Sequence, residues 1–186
     1  MIIDRRDALA GMVAMFGTAL FAPIARAAKA QATPISDGPP SAPVFTAEQR
    51  ALMTALSERV MPTTDTPGAI AAGVPAFIEK LLADWAGPDD RKPILAGLDA
   101  IEARAQADYK IAAAKATPAQ QDALLTLAME DKFPGGKDFF EKFRQLVITG
   151  YFTSEVGITQ EREYLPVPGR YDGAYPYSQV NKVFSS

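Results

Sequence analysis

Apolar residues recur three and four positions apart in five stretches of the chain, which is the spacing of one face of an α-helix. No alternating run is long enough to indicate a β-sheet, and no segment repeats another at a fixed period. The pattern therefore predicts an all-α protein with a single domain of five or six helices. The predicted helices begin near residues 46, 75, 89, 117 and 137.

Local signals support these helix boundaries. Residues 46–49 and 117–120 each place a threonine three positions before a glutamine, which is the pattern of a capping box. Pro62 and residues 87–88 are predicted to end the first and second helices, and residues 63–68 to form a structured turn. The predicted buried stripes are Phe77, Ile78, Leu81, Leu82 and Trp85 in the second helix, Ile94, Leu98, Ile101 and Ala105 toward Tyr109 and Ile111 in the third, and Phe139, Phe140, Phe143, Leu146 and Val147 in the fifth.

The N-terminus has the pattern of an export signal. Arg5 and Arg6 precede an apolar run over residues 8–22, and small-x-small cleavage sites follow within residues 25–30. The run is shorter than the about 20 residues that a membrane-spanning helix needs. The paired arginines favour the twin-arginine (Tat) route for residues 1–30. Ordinary secretion and an uncleaved amphipathic anchor remain the alternatives.

The remaining sequence divides into a linker and a folded domain. Residues 31–45 contain four prolines among small residues and are predicted to be a flexible linker, and residues 46–186 form the helical domain. The domain ends in an extended, proline-rich strap whose large rings suit another protein's surface or its own helices, and both alternatives stay open. The tyrosines of this strap are Tyr164, Tyr171, Tyr175 and Tyr177.

Composition excludes several kinds of chemistry. The chain has no cysteine and no histidine, which excludes disulfides, the usual zinc, haem and iron–sulfur sites, and catalysis that needs either residue. Without residues 1–30 its net charge would be near −5, a sign that disfavours nucleic acid and anionic lipid. We therefore expect no metal site and no cofactor bound by this chain.

A carboxylate, lysine or tyrosine mechanism, or no catalysis at all, remains possible for this composition. Glu155, which follows the aromatic helix, is the best single candidate for a buried carboxylate, although a cap or a local salt bridge is the favoured interpretation. The acidic pairs at residues 89–90 and 130–131 are interpreted as solvated helix ends. Residues 134–137 form a predicted turn and not a phosphate-binding loop. No catalytic residue is therefore predicted.

Several segments are similar to a known family. Residues 139–157, which include Gly-Tyr-Phe-Thr-Ser-Glu-Val-Gly, and residues 164–171, which read Tyr-Leu-Pro-Val-Pro-Gly-Arg-Tyr, resemble the signature of the gluconate 2-dehydrogenase subunit 3 (gamma subunit) family. Residues 45–49, 62–69 and 73–74 do so as well. The resemblance extends over about residues 45–178.

The resemblance implies a non-catalytic small subunit of a periplasmic FAD-dependent dehydrogenase of the glucose-methanol-choline type. Such a subunit serves assembly, stability and Tat-dependent export of the flavin subunit, and a cytochrome c subunit or another acceptor takes the electrons. An independent carboxylate-dependent periplasmic enzyme and a binding module for another envelope protein are the alternatives. The candidate interface residues are Tyr151, Phe152, Thr153, Ser154 and Glu155, together with Tyr164, Tyr171, Tyr175 and Tyr177.

Overall fold

A computed structural model describes residues 38–164, positions 176 and 178, and residues 184–185. Within these residues, helices account for nearly all regular structure, and the prediction of a single all-α domain is confirmed. The elements are α1 (Ala47–Val60), α2 (Val74–Asp84), α3 (Pro88–Tyr109), a 3-10 turn (Ala113–Lys115), α4 (Pro118–Met129), α5 (Gly136–Phe152), a π-helical turn (Gly157–Glu161), and two parallel two-residue strands, β1 (Glu163–Tyr164) and β2 (Phe184–Ser185).

Some of the predicted features lie outside the described residues. The export signal with Arg5 and Arg6 belongs to this group, as do Tyr171, Tyr175 and Tyr177 of the strap. These features stay predictions.

Both predicted capping boxes are present. The hydroxyl of Thr46 accepts the N–H of Gln49 at 3.2 Å, and the Gln49 side chain accepts the N–H of Thr46 at 3.1 Å. Thr117 and Gln120 make the same pair of bonds at 3.4 and 2.9 Å. Each box satisfies backbone N–H groups that have no partner within the helix, so α1 and α4 begin where the local sequence predicts.

The core is built around α5, which packs against α2, α3 and α4. The rings of Phe139 and Phe143 are buried and stacked, with centroids 5.3 Å apart. Phe139 lies directly against Gly97 of α3, where a β-carbon would come within 2.1 Å of the ring. Phe140 and Leu146, also predicted for the buried stripe, are only half-buried at its edges.

Two predicted core residues are exposed. Trp85 is 48% exposed because α2 ends at Asp84, which leaves Trp85 as the C-cap beyond the last full turn. Ile111 is 38% exposed because α3 ends at Tyr109 and Lys110 adopts a left-handed conformation with φ 59°. Helical spacing extended the predicted stripes past the true helix ends, and these two predictions are wrong.

The end of the predicted linker contacts the helical domain. The N–H of Ser41 donates to the carboxylate of Asp84 at 2.9 Å, and the Lys80 ammonium donates to Asp84 at 2.9 Å and to the carbonyl of Pro39 at 3.2 Å. Bonds from Ser41 and Lys80 lower the pKa of Asp84 to about 2. Phe45 is buried in the core. Pro39 and Ser41 therefore bond to α2 and Phe45 packs into the core, while the flexibility of the linker stays a prediction.

Candidate partner-binding site

Two segments with distinctive sequences, residues 62–69 and 150–157, meet in the folded domain. The hydroxyl of Tyr151 donates to the carbonyl of Pro67 at 2.9 Å. The hydroxyl of Thr66 donates to the carboxylate of Glu161 at 2.8 Å and lies 3.4 Å from the Tyr151 hydroxyl. We call the contact between residues 58–70 and residues 150–161 the junction.

Glu58 organises the first half of the junction. Its carboxylate accepts the N–H and hydroxyl of Thr63, at 3.0 and 2.7 Å, and the N–H of Ile70 at 3.0 Å. The Thr63 hydroxyl in turn accepts the N–H of Gly68 at 3.0 Å. Partial burial raises the pKa of Glu58, but the bonds from Ile70 and Thr63 together outweigh burial, so the pKa lies below its ordinary value. The predicted structured turn at residues 63–68 is confirmed.

The second half of the junction turns the chain at the end of α5. The hydroxyl of Ser154 donates to the carbonyl of Tyr151 at 2.6 Å and accepts the N–H of Gly157 at 3.1 Å. Gly157 packs so closely that a β-carbon would lie 2.1 Å from that carbonyl oxygen. The motif around Tyr151 is therefore a tightly packed turn in which serine and glycine have structural roles.

The structure separates the predicted interface residues into two groups. Tyr151 is only 2% exposed, and its hydroxyl is bonded within the domain, so its ring is not available to a partner. Ser154 is half-buried and occupied by the turn. Phe152 is half-buried, with the guanidinium of Arg162 4.7 Å from the centre of its ring. Tyr151 and Ser154 therefore contribute to the stability of the domain, while the predicted interface as a whole stays a prediction.

The remaining predicted interface residues are exposed or only partly described. Thr153 is exposed, although its hydroxyl donates to the carbonyl of Thr149 at 2.7 Å. Glu155 is exposed as well, which contradicts the interpretation as a buried carboxylate, and it forms no ion pair with any other residue that the structure describes. The backbone of Tyr164 lies in β1.

A second surface was not predicted from the sequence. It is an open groove of about 600 Å³ between α2, the start of α3 and α5, and we call it the groove. Its apolar lining includes Leu81, Trp85, Ile94 and Leu146, and its polar lining includes Asp90, Asp138, Glu141 and Lys142. The exposed ring of Trp85 stands at this groove. Periodicity had assigned Trp85 to the core, so the sequence offered no signal for this surface.

Three further features would indicate another kind of site in the described part of the chain: metal-binding clusters, buried polar atoms without a partner, and membrane-spanning helices. Residues 38–164 hold no group of three or more acidic side chains placed to bind a metal ion. In the same range, every buried polar side-chain atom has a hydrogen-bond partner. A search of the described helices found none with the length and apolar character needed to cross a membrane.

The structure is a small all-α domain whose junction residues bond within the chain and whose groove is open to solvent. The chain belongs to the gluconate 2-dehydrogenase subunit 3 family, whose family model matches residues 47–169. The match begins at the first residue of α1 and includes both halves of the junction. Searches of curated proteins and of solved structures found no match. The resemblance seen in the sequence is therefore confirmed at the level of the family.

Proposed function

We propose that this chain is the non-catalytic small subunit of a periplasmic FAD-dependent sugar or sugar-acid dehydrogenase. Its role is to assemble and stabilise the flavin subunit and to carry it across the membrane by the Tat route. The observation that carries the proposal is the family match over residues 47–169, since the family is named as a subunit of a dehydrogenase. FAD belongs to the partner subunit in this proposal, and a cytochrome c subunit or another acceptor receives the electrons.

The use of polar groups at the junction supports a structural role over a catalytic one. The hydroxyls of Thr63, Tyr151 and Ser154 all bond within the domain. Glu155, the carboxylate considered for an independent enzyme, is exposed to solvent. A catalytic function therefore has no supporting arrangement among the described residues.

The proposed role has a simple thermodynamic basis. A subunit that binds only the folded, FAD-loaded partner stabilises it by RT ln(1 + [L]/Kd), which is about 2.7 kcal/mol at a hundredfold excess over Kd. The Tat signal predicted at residues 1–30 supports the export part of the proposal, because that route carries folded proteins. One signal would then serve both subunits.

Fractionation of cells tests the proposal. Replacing Arg5 and Arg6 together by lysine is expected to retain both this chain and the flavin subunit in the cytoplasm. Replacing Lys29, which also lies in the predicted signal but outside the arginine pair, by arginine is the control and is expected to leave both in the periplasm. If the flavin subunit reaches the periplasm while the doubly substituted chain does not, joint export is wrong.

Purification tests whether FAD and the oxidation of sugar belong to the partner subunit and not to this chain. The chain purified alone is expected to be colourless and to oxidise no sugar with artificial dyes. The chain purified from the periplasm is expected to bring a flavin-containing protein with it. Stoichiometric FAD on the isolated chain after gel filtration would contradict the proposal, and co-purification of an unrelated envelope protein would favour a general binding module.

A further inference from the structure

We propose that the groove binds an amphipathic helix of the flavin subunit, with apolar side chains on its floor and lysine or arginine at its edge. The inference deepens the proposed function and rests on it, because it names the partner's contact surface. It assigns the partner to the groove instead of to Tyr151 and Ser154, whose hydroxyls bond within the domain.

The apolar side chains of the groove form its binding floor. Leu81 comes from α2, Trp85 is the C-cap that follows α2, and Leu146 comes from α5. Trp85 leaves 48% of its surface exposed and is the only tryptophan in the chain. A large ring with few rotatable bonds offers contact area at small entropic cost, which is why tryptophan is enriched among the residues that dominate binding energy.

The lining of the groove carries more negative than positive side chains, which favours a partner with positively charged side chains. Asp90, Asp138 and Glu141 place three carboxylates on its lining, against the single ammonium of Lys142. Lys142 is paired with Asp138 at 3.0 Å, so it does not neutralise the other two acids. Neither Asp90 nor Glu141 forms an ion pair with any described residue. A partner that carries cationic side chains beside its apolar face complements this arrangement.

The walls of the groove favour a helix over an extended segment. The α5 wall contributes lining residues from Asp138 to Leu146 at spacings of three and four, so they follow one face of the helix for about 12 Å, or roughly two turns. Backbone N–H and C=O groups in such a wall already bond within their own helices, and an extended peptide would find no strand edge to pair with. A helix satisfies its own backbone and presents side chains at matching spacing.

Binding measurements with the complex test the inference. The full chain is co-expressed with the flavin subunit of the same organism, and Kd is compared among variants. We expect Trp85→Ala and Glu141→Lys each to raise Kd at least tenfold, and Glu141→Gln to reduce the salt dependence of Kd. Matched controls are Met129→Ala, since Met129 is also 48% exposed but lies outside the groove, and Glu130→Lys, an exposed acid elsewhere. Both controls are expected to stay within twofold of wild type.

The outcomes separate the inference from the proposed function. If the wild-type chain binds the flavin subunit and both groove variants keep its Kd, the groove inference is wrong and the proposed function stands. If the wild-type chain does not bind the flavin subunit at all, both are wrong. Sedimentation of the isolated chain supplies the third outcome: a dimer that Trp85→Ala dissociates would assign the groove to a second copy of the chain and overturn the inference. Circular dichroism of each variant verifies that the helices are retained.

Discussion

The junction and the groove lie toward opposite ends of α5 and use their polar groups in opposite ways. At the junction, where α5 ends, the hydroxyl of Tyr151 bonds to Pro67 and the hydroxyl of Ser154 bonds to the carbonyl of Tyr151. At the groove, where α2 ends and α5 begins, the Trp85 ring is half exposed and two carboxylates have no ion-pair partner among the described residues.

The comparison shows that a distinctive motif need not mark a contact surface. Tyr151 and Gly157 stand in the segment whose sequence is most recognisable, yet the contacts there are internal. Surfaces that bind a partner keep groups in contact with solvent until the partner arrives, and the groove has this character. Substitutions at the junction should therefore lower stability, whereas substitutions of the exposed groove residues Trp85 and Glu141 should leave stability nearly unchanged.

The largest effect is expected for Gly157→Ala. The added β-carbon would lie 2.1 Å from the carbonyl oxygen of Tyr151. Because that oxygen belongs to the backbone, the clash can be relieved only by a shift of the backbone. We expect a loss of about 2–3 kcal/mol and a Tm lower by roughly 4–12 °C, measured by thermal denaturation. Gly87→Ala is the control, because its β-carbon meets nothing closer than 3.5 Å. Equal Tm losses in both variants would contradict the close packing at Gly157.

The next effect is expected for Glu58→Gln, with a dependence on pH. The folded pKa of Glu58 is lowered, so its contribution to stability is present above the ordinary value of 4.5 and is lost as the pH falls through the folded pKa. The glutamine variant should be less stable by about 1–2 kcal/mol at pH 7, and the difference should shrink at acidic pH. Urea denaturation at several pH values measures it. A difference that stays constant at every pH would contradict the role of the charge.

Tyr151→Phe isolates one hydrogen bond of the junction. It removes the hydroxyl that donates to Pro67 at 2.9 Å while keeping the buried ring. We expect a loss of about 1 kcal/mol in the free energy of unfolding. Affinity for the flavin subunit should not change, since the ring does not reach the surface. A tenfold loss of affinity with unchanged stability would place the partner at the junction instead.

The smallest effect on stability is expected for Trp85→Ala. The side chain lies beyond the last turn of α2 and is half exposed, so its removal should cost less than about 1 kcal/mol. Thermal denaturation of the isolated chain is the measurement. A Tm loss as large as that of Gly157→Ala would show that the ring belongs to the domain's own core, and the contrast between junction and groove would fail.

Local sequence determined much of the fold. The capping boxes at residues 46–49 and 117–120 placed the starts of α1 and α4, because the donor and acceptor are only three residues apart. Periodicity identified the buried aromatic residues Phe139 and Phe143 for the same reason, since neighbouring turns of one helix define its face. The turn at residues 63–68 followed from side chains that bond to nearby backbone.

Contacts between residues distant in the chain decided which side chains are buried and which are exposed. The hydrogen bond between Tyr151 and Pro67 joins residues 84 positions apart. No local sequence pattern indicates whether the tyrosine ring will be buried by so distant a segment. The exposure of Trp85 likewise depends on where α2 ends and on whether another element covers that end. By itself, the sequence determined the helices, the family resemblance and the absence of cysteine and histidine. The packing of those helices decided which residues are buried and which stay exposed to solvent, because burial depends on neighbours distant in the chain.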